Sequence, residues 1–340
     1  MAETVRSRFR KVMAGQRPED RLPVMEWATW WDKTIARWRT EGLPPHLDWH
    51  GIKRWFGLDM DYQLWFPQTA PGAAPVPGAP PGAWIRDEAD YLRLKPMLYP
   101  DPIPYDRDAW YRYAEEQSRG EAVIWITFSG FFWWPRVLLG IEAHLYAFYD
   151  QPHLMERINE DQVEYQLRCL EDFCRICVPD FMTFGEDMSY NHGPMISKPL
   201  FDRFMAPYYR RVVPELLRRG ITPIVDSDGD VEPLIPWFEE VGIEGILPLE
   251  RMAGVDVNRI RRNHPNWKMI GGFDKTVMHR GEDAIRREFN RLMPVMQSGR
   301  FIPSVDHQTP PGVSLADYRI YLRLLREYAA LAVEPAGPAD

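Results

Sequence analysis

Residues 221–250 read ITPIVDSDGDVEPLIPWFEEVGIEGILPLE. The apolar run 221–225 is strand-like, 231–241 carries helical spacing that stops at Gly242, and 243–247 is again strand-like. A strand, a covering helix and a second strand joined by short links favour parallel pairing, with the helix laid over the sheet. Acids stand where each strand ends: Asp226, Asp228 and Asp230 after the first, Glu250 after the second.

The same unit recurs on both sides. Upstream, 181–185 is strand-like and 199–219 a helix stopped by Gly220. Downstream come a helix at 255–262, a strand at 268–270, helical patterns at 275–278 and 284–296, and a strand at 301–305. The closing helix spans 314–331, with Ser314 and Asp317 spaced as a capping box. The N-terminal half offers a helix at 3–15, a strand at 24–27, helices at 33–40 and 50–56, a strand at 122–128, and helices at 137–149 and 154–178. This order predicts an α/β chain built as a (β/α)8 TIM barrel with N-terminal helical additions, forming one domain over 1–333. Residues 67–83 are rich in proline and predict an inserted surface loop, and 334–340 a loose tail.

Composition narrows the class. The 340-residue chain is 45% hydrophobic and 13% aromatic, with 14 tryptophans, enough for a large core and an aromatic-lined cavity. It lacks an apolar run of membrane-spanning length, and the start of the chain lacks a secretory h-region, so a cytoplasmic protein with no membrane partner is expected. A net charge of -8 argues against nucleic acid as a partner. Cys169, Cys174 and Cys177 lie in a helical pattern; an odd number and half a zinc ribbon predict free thiols. His144, His153, His264 and His279 have no partner in view and are expected to be structural or solvated.

In a parallel barrel the residues following the strands converge on one rim. Those residues are Glu186 and Asp187, then Asp226, Asp228 and Asp230, then Glu250, Asp274, and Asp306 with His307. Asp residues in such links also cap helices, the plainer account of Asp230 and an equal one for Asp274. Asp226 and Asp228 flank Ser227 in an extended stretch and therefore point to one side, where carboxylates raise each other's proton affinity or share a cation. Asp306 and His307 pair an acid with the side chain that titrates near neutrality. His192, in SYNHGP, lies in a loop able to reach the same rim.

Taken together, GEDMSYNHGPMISKPLFDRFMAPYYRRVV, VDSDGDVEPLIPWFEEVGIEGILPLE, MIGGFDKTVM and IPSVDHQTPPGVS resemble the uroporphyrinogen decarboxylase superfamily, which includes methyltransferases acting between corrinoids and thiols. The resemblance implies the (β/α)8 barrel and a homodimer. It departs from true uroporphyrinogen decarboxylases at VMEWATWW, where Glu26 stands in a place that carries arginine in those enzymes, so the acidic tetrapyrrole is a poor fit. The family's zinc methyltransferases carry His-x-Cys and a later Cys; the matching positions here are Asp226 and Asp228, with either Asp306 or His307 as the third. The resemblance keeps zinc first among the divalent ions, while the exchange of soft thiolates for hard carboxylates makes iron, manganese or magnesium comparable.

Three functions follow as expectations. The first is metal-assisted methyl transfer on a small substrate, with Asp226, Asp228, Glu250, Asp306 and His307 as the metal-ligand set. Asp187, Asp228, His307, Glu186 and His192 are its catalytic candidates, and Trp27, Trp30, Trp133, Tyr190, Asn191 and Asp274 its substrate contacts. A corrinoid would enter only through a separate partner protein, since DxHxxG is missing from the sequence. The second is a cofactor-free decarboxylase or lyase acting on an electron-rich ring, which needs a cationic anchor; Arg37, Arg39 and Arg54 are the candidates in sequence. The third is a non-catalytic binding protein.

Overall fold

A computed structural model describes residues 3–334; beyond Glu334, the expected tail lies outside the described residues. The described residues form nine strands: β1 (Met60–Trp65), β2 (Ala122–Ser129), β3 (Phe181–Gly185), β4 (Ser189–Tyr190), β5 (Gly193–Pro194), β6 (Thr222–Asp226), β7 (Gly245–Leu247), β8 (Lys268–Phe273) and β9 (Phe301–Val305). Seven of them make one parallel sheet in the order β1-β2-β3-β6-β7-β8-β9, while β4 and β5 form a separate antiparallel hairpin. Every position of β2, β3 and β9 is buried, as expected of parallel strands covered on both faces.

The helices on the outside follow the expected periodicity. Tyr208, Tyr209, Val212, Val213 and Leu216 form the buried face of the helix Ala206–Arg218, and Tyr318, Tyr321, Leu322, Leu325 and Tyr328 that of Leu315–Leu331. Ser314 caps the latter by accepting from the Asp317 amide at 3.0 Å. The Asp317 carboxylate takes the Ser314 hydroxyl rather than a backbone amide, so only half of the expected capping box forms.

Four expectations are corrected. Residues 24–27 form no ladder strand. They run between the two edges of the sheet instead: Val24 O accepts from Asp59 N at 2.8 Å, the Trp27 indole donates to Val305 O at 2.9 Å, and Trp30 bridges Thr309. The strand that borders this segment on the other side is β1, which the sequence reading passed over, and two helices, Glu88–Leu94 and Arg107–Ser118, were likewise passed over. The helix expected at 137–149 breaks at Gly140, whose φ of 78° favours glycine, and the one at 199–219 breaks at Met205. Residues 231–241 shrink to a 3-10 turn, Glu232–Leu234, and the short helix Ile235–Glu239, because Pro233 and Pro236 remove amide donors.

Residues 67–83 form no helix and one bridge, Thr69 with Leu98. The loop is pinned by Val76, buried with its amide donating to Trp84 O. No helix among the described residues is long and apolar enough to cross a membrane.

Candidate active site

Strand parity builds the site. Parallel register pairs Gly185 of β3 with Asp226 of β6, and the Glu186 amide continues the ladder to Asp226 O at 2.8 Å. Because side chains alternate along an extended chain, Gly185, Asp226 and Asp228 face one side, and Glu186 and Ser227 the other; Asp187, beyond the extended stretch, joins the first side. Gln63 of β1 pairs with Trp125 of β2, which puts Gln63, Trp65 and Trp125 on that same inner side.

These residues line a cavity of about 300 Å³, the small end of the range for ligand sites. Its walls are Trp27, Trp65, Trp125 and Trp133, and its polar floor and rim are Asp187, Asp226, Asp228, His307, Gln63 and Gln308. Trp27 meets His307 edge-on at 6.2 Å between ring centres. Arg136 lies over Trp133 at 5.0 Å and donates to Asp187 O at 3.0 Å, so its charge fixes a ring and a backbone carbonyl. Among the described residues, no lysine or arginine lines the cavity.

Burial and like charge set the electrostatics. Asp226 is enclosed on every side but the cavity, and its carboxyl is pushed well above the usual range, first by burial and then by Asp187 and Asp228. Asp228 is raised to about 7, by burial ahead of Glu250 and Asp187. Asp187 is also raised by burial, against the pull of the Asp228 amide and Arg136. Its backbone sits at φ 41°, a left-handed conformation that Asp tolerates better than most residues and that aims the carboxyl inward. His307 is lowered by burial and by Lys275, outweighing Glu250 and Asp187. Its Nε2 lies 3.8 Å from Asp228 Oδ2, beyond a hydrogen bond but within reach of one through a small rotation or a bridging water.

Residues 140–328, more than half of the chain, match the family described as Uroporphyrinogen decarboxylase (URO-D). The protein belongs to the uroporphyrinogen decarboxylase family. A methyltransferase from Methanosarcina mazei shares the fold at a TM-score of 0.65 and 13% identity, over 96% of this chain and 98% of that one. A B12-independent methionine synthase from Shewanella sp. W3-18-1 overlaps at a TM-score of only 0.35 and 11% identity, over 66% of each chain. No curated protein sequence matches.

In this URO-D chain the cavity gathers Asp187, Asp226, Asp228, His307, Trp27 and Trp133 from the expected set. The others stand elsewhere. Glu186 is sealed on the outer side of β3, accepting the amides of Phe131, Phe132 and Trp133 and the Tyr209 hydroxyl. It therefore organises the link that carries Trp133 and does not meet a substrate. Trp30 is in the core, packed on Trp38, Trp49, Phe56 and Tyr318, not in the cavity wall. Tyr190, Asn191 and His192 are exposed on the β4–β5 hairpin, outside the cavity lining. Asp274 caps the turn that follows β8, accepting the Thr276 amide at 2.8 Å and its hydroxyl at 2.6 Å. Asp230 makes no cap; its amide donates to Tyr190 O.

The metal-ligand set is not assembled. Asp306 is buried and accepts from Arg251 N at 3.0 Å, Lys275 N at 3.2 Å and Lys275 Nζ at 3.3 Å. Glu250 accepts the Gly229 amide at 3.2 Å and stands 3.9 Å from Lys275 Nζ. Lysine already supplies the positive partner to both. Among the described residues, no three His, Cys, Asp or Glu side chains are grouped so as to hold a metal ion. The five expected ligands therefore do not fit a metal shell as they stand.

Trp65, Trp125 and Gln63 were missed by the sequence reading. The signal was present: MDYQLW alternates apolar and polar residues at the strand period, and AVIWITF places a large ring mid-strand.

Proposed function

We propose that this URO-D family chain is an enzyme that moves a methyl or other one-carbon group on a small substrate held against the four tryptophans, in a (β/α)8 barrel whose eighth position is filled by residues 22–30. The observation that carries the proposal is the cavity itself: three carboxylates of raised proton affinity, one histidine and an apolar aromatic wall at the strand ends. Asp228, near 7, and His307, below its ordinary value, leave a proton of the pair on the acid first, with the neutral imidazole beside it as acceptor. The pair protonates or deprotonates the group that gains or loses the carbon, while the tryptophans hold it and exclude water. The likeness in fold to a methyltransferase supports the choice of transfer chemistry. A corrinoid, if used, belongs to a separate partner protein, and no step is assigned to a metal ion.

The decarboxylase alternative is less favoured by the same geometry. A carboxylate-bearing ring would need a cationic anchor, and the lining supplies acids instead. Of the arginines available for that role, Arg37 is bonded to Glu41 and Pro311 O and Arg54 to Tyr62.

The test is an assay of the purified protein with methylcobalamin and a panel of small thiols and amines, and with free cob(I)alamin and methylated donors. Methylated product, or methylcobalamin formation, that disappears in Asp228→Asn is expected. Release of CO2 from a ring carboxylate without any methyl transfer would replace the proposal with the decarboxylase. Elemental analysis of the same preparation, with zinc bound one to one, would overturn the statement that the ligand set does not fit.

A further inference from the structure

We infer that the cavity is built for a small organic cation, a methylated ammonium group, seated among Trp27, Trp65, Trp125 and Trp133 with its charge facing Asp187, Asp226 and Asp228. The inference deepens the proposed function, since it names the substrate class of that site.

Two independent features meet here. The first is the wall: four indole rings line one cavity of about 300 Å³. Aromatic faces carry a negative quadrupole, and several around one point form the usual receptor for a quaternary ammonium, which cannot donate hydrogen bonds. The second is the floor. Asp226 is partly buried, lines the cavity, and makes no side-chain hydrogen bond among the described residues. Several buried carboxylates of this chain are matched to donors: Asp306 to Lys275, Asp61 to Lys53 at 2.6 Å, and Asp180 to Arg6 at 2.8 Å. Asp226 has no such partner, and unlike Asp230, whose Oδ1 is also unpartnered, it opens onto the ligand space.

The nearby positive groups do not fill that need. Arg136 is engaged by Trp133 and the Asp187 carbonyl, and Lys275 by Asp306 and Glu250. An anion entering the cavity would meet three carboxylates, and a neutral apolar molecule would leave Asp226 facing it without a partner. An ammonium cation satisfies wall and floor together, because its methyl groups bear the positive charge outward onto the rings while the acids, which burial and one another hold protonated in its absence, ionise against it.

The probes are tetramethylammonium, choline, and the uncharged carbon isostere of choline, 3,3-dimethylbutan-1-ol, titrated against the whole protein by calorimetry and tryptophan fluorescence. Both cations should bind at millimolar concentration or below, with choline at least about tenfold tighter than its isostere, the scale of a desolvated cation–π contact. Asp226→Asn should weaken choline about tenfold while leaving the isostere unchanged, and Trp65→Ala should weaken both, choline the more. Trp65 is half-exposed at the end of β1, so its removal spares the core; thermal melts verify that both variants fold. Should either variant fail to fold, the choline-to-isostere ratio in the unaltered protein still decides. Equal affinity for choline and its isostere, no binding of either cation, or choline affinity unchanged in a folded Asp226→Asn overturns the inference. Methyl transfer without cation preference sinks this inference alone; cation preference without transfer sinks the proposed chemistry alone.

Discussion

His307 Nε2 faces Asp228 Oδ2 across 3.8 Å, with the Trp27 ring set edge-on against the imidazole. The two groups come from the ends of β9 and β6, far apart in sequence, and burial acts on them in opposite senses. It raises the acid to about 7 and lowers the base, so the usual order is reversed and, just below neutrality, the pair holds one proton, on the acid.

The first prediction concerns that proton. Activity should follow a bell, with the alkaline limb near 7 where Asp228 loses it and the acid limb below the ordinary histidine value where His307 takes a second. Asp228→Asn and His307→Gln should each lower kcat by roughly 10²–10⁴ and remove one limb. Rate profiles from pH 5 to 9 are the measurement; a flat profile in the unaltered protein contradicts the pairing.

Asp226 and Asp228 also make stability depend on pH. Both are held above their ordinary value in the folded chain, so the folded state binds more protons than the unfolded one. That contribution is complete below the unfolded value and is lost as pH rises through the folded value, about 7 for Asp228. Asp226→Asn should therefore flatten the decline and raise Tm at pH 8, by about 1–2 °C for each kcal/mol of repulsion relieved in a chain of this length. A Tm that falls on this substitution would show that the carboxylate has a positive partner.

Lys275 is the counter-charge of a different acid. With Asp306 fully buried, Lys275→Met leaves that carboxylate unpaired and should cost about 3–5 kcal/mol by denaturant titration. The double change Lys275→Met with Asp306→Asn should recover much of the loss. If it recovers nothing, the ion pair is not what holds the β9 end.

Glu186 ties the β2 link to β3 by accepting three consecutive amides. Glu186→Ala strands those donors in the interior and should cost at least about 3 kcal/mol. Gly130 should tolerate no side chain, since a Cβ there would fall 2.0 Å from the Glu186 carboxyl carbon. Because Trp133 follows the stranded amides, any folded Glu186→Gln protein should bind ligand more weakly without a change in the pH profile.

The legible parts of the sequence were those in which one signal acted alone. In 181–305 the expected strands are short apolar runs followed within a few residues by an acid or glycine, and the five observed strands of the parallel sheet lie on those runs within a few residues, while the β4–β5 hairpin lies on none. Alternation in VDSDGD placed Asp226 and Asp228 on one side, and the cavity contains both. Glu186 and Asp306 were grouped with the cavity acids because adjacency in sequence conceals parity: each neighbours a cavity residue and so points away from it. β1 carries Asp61 and Gln63, residue types that suggest a surface, whereas they face the inner side of the sheet, Asp61 paired to Lys53 and Gln63 bonded to Thr127 at 2.8 Å. Trp30 was placed with Trp27 by proximity, although three residues of irregular chain turn it into the core.

Residues 22–30 join β9 to β1 through a few separate bonds in place of a continuous ladder, and the same stretch presents Trp27 to the cavity. A flank bonded so sparsely opens more readily than the strands beside it. Its amides should thus be early to exchange with deuterated solvent, and a molecule gripping Trp27 should slow them. Occupancy of the cavity then becomes readable from the backbone itself, before any product has been identified.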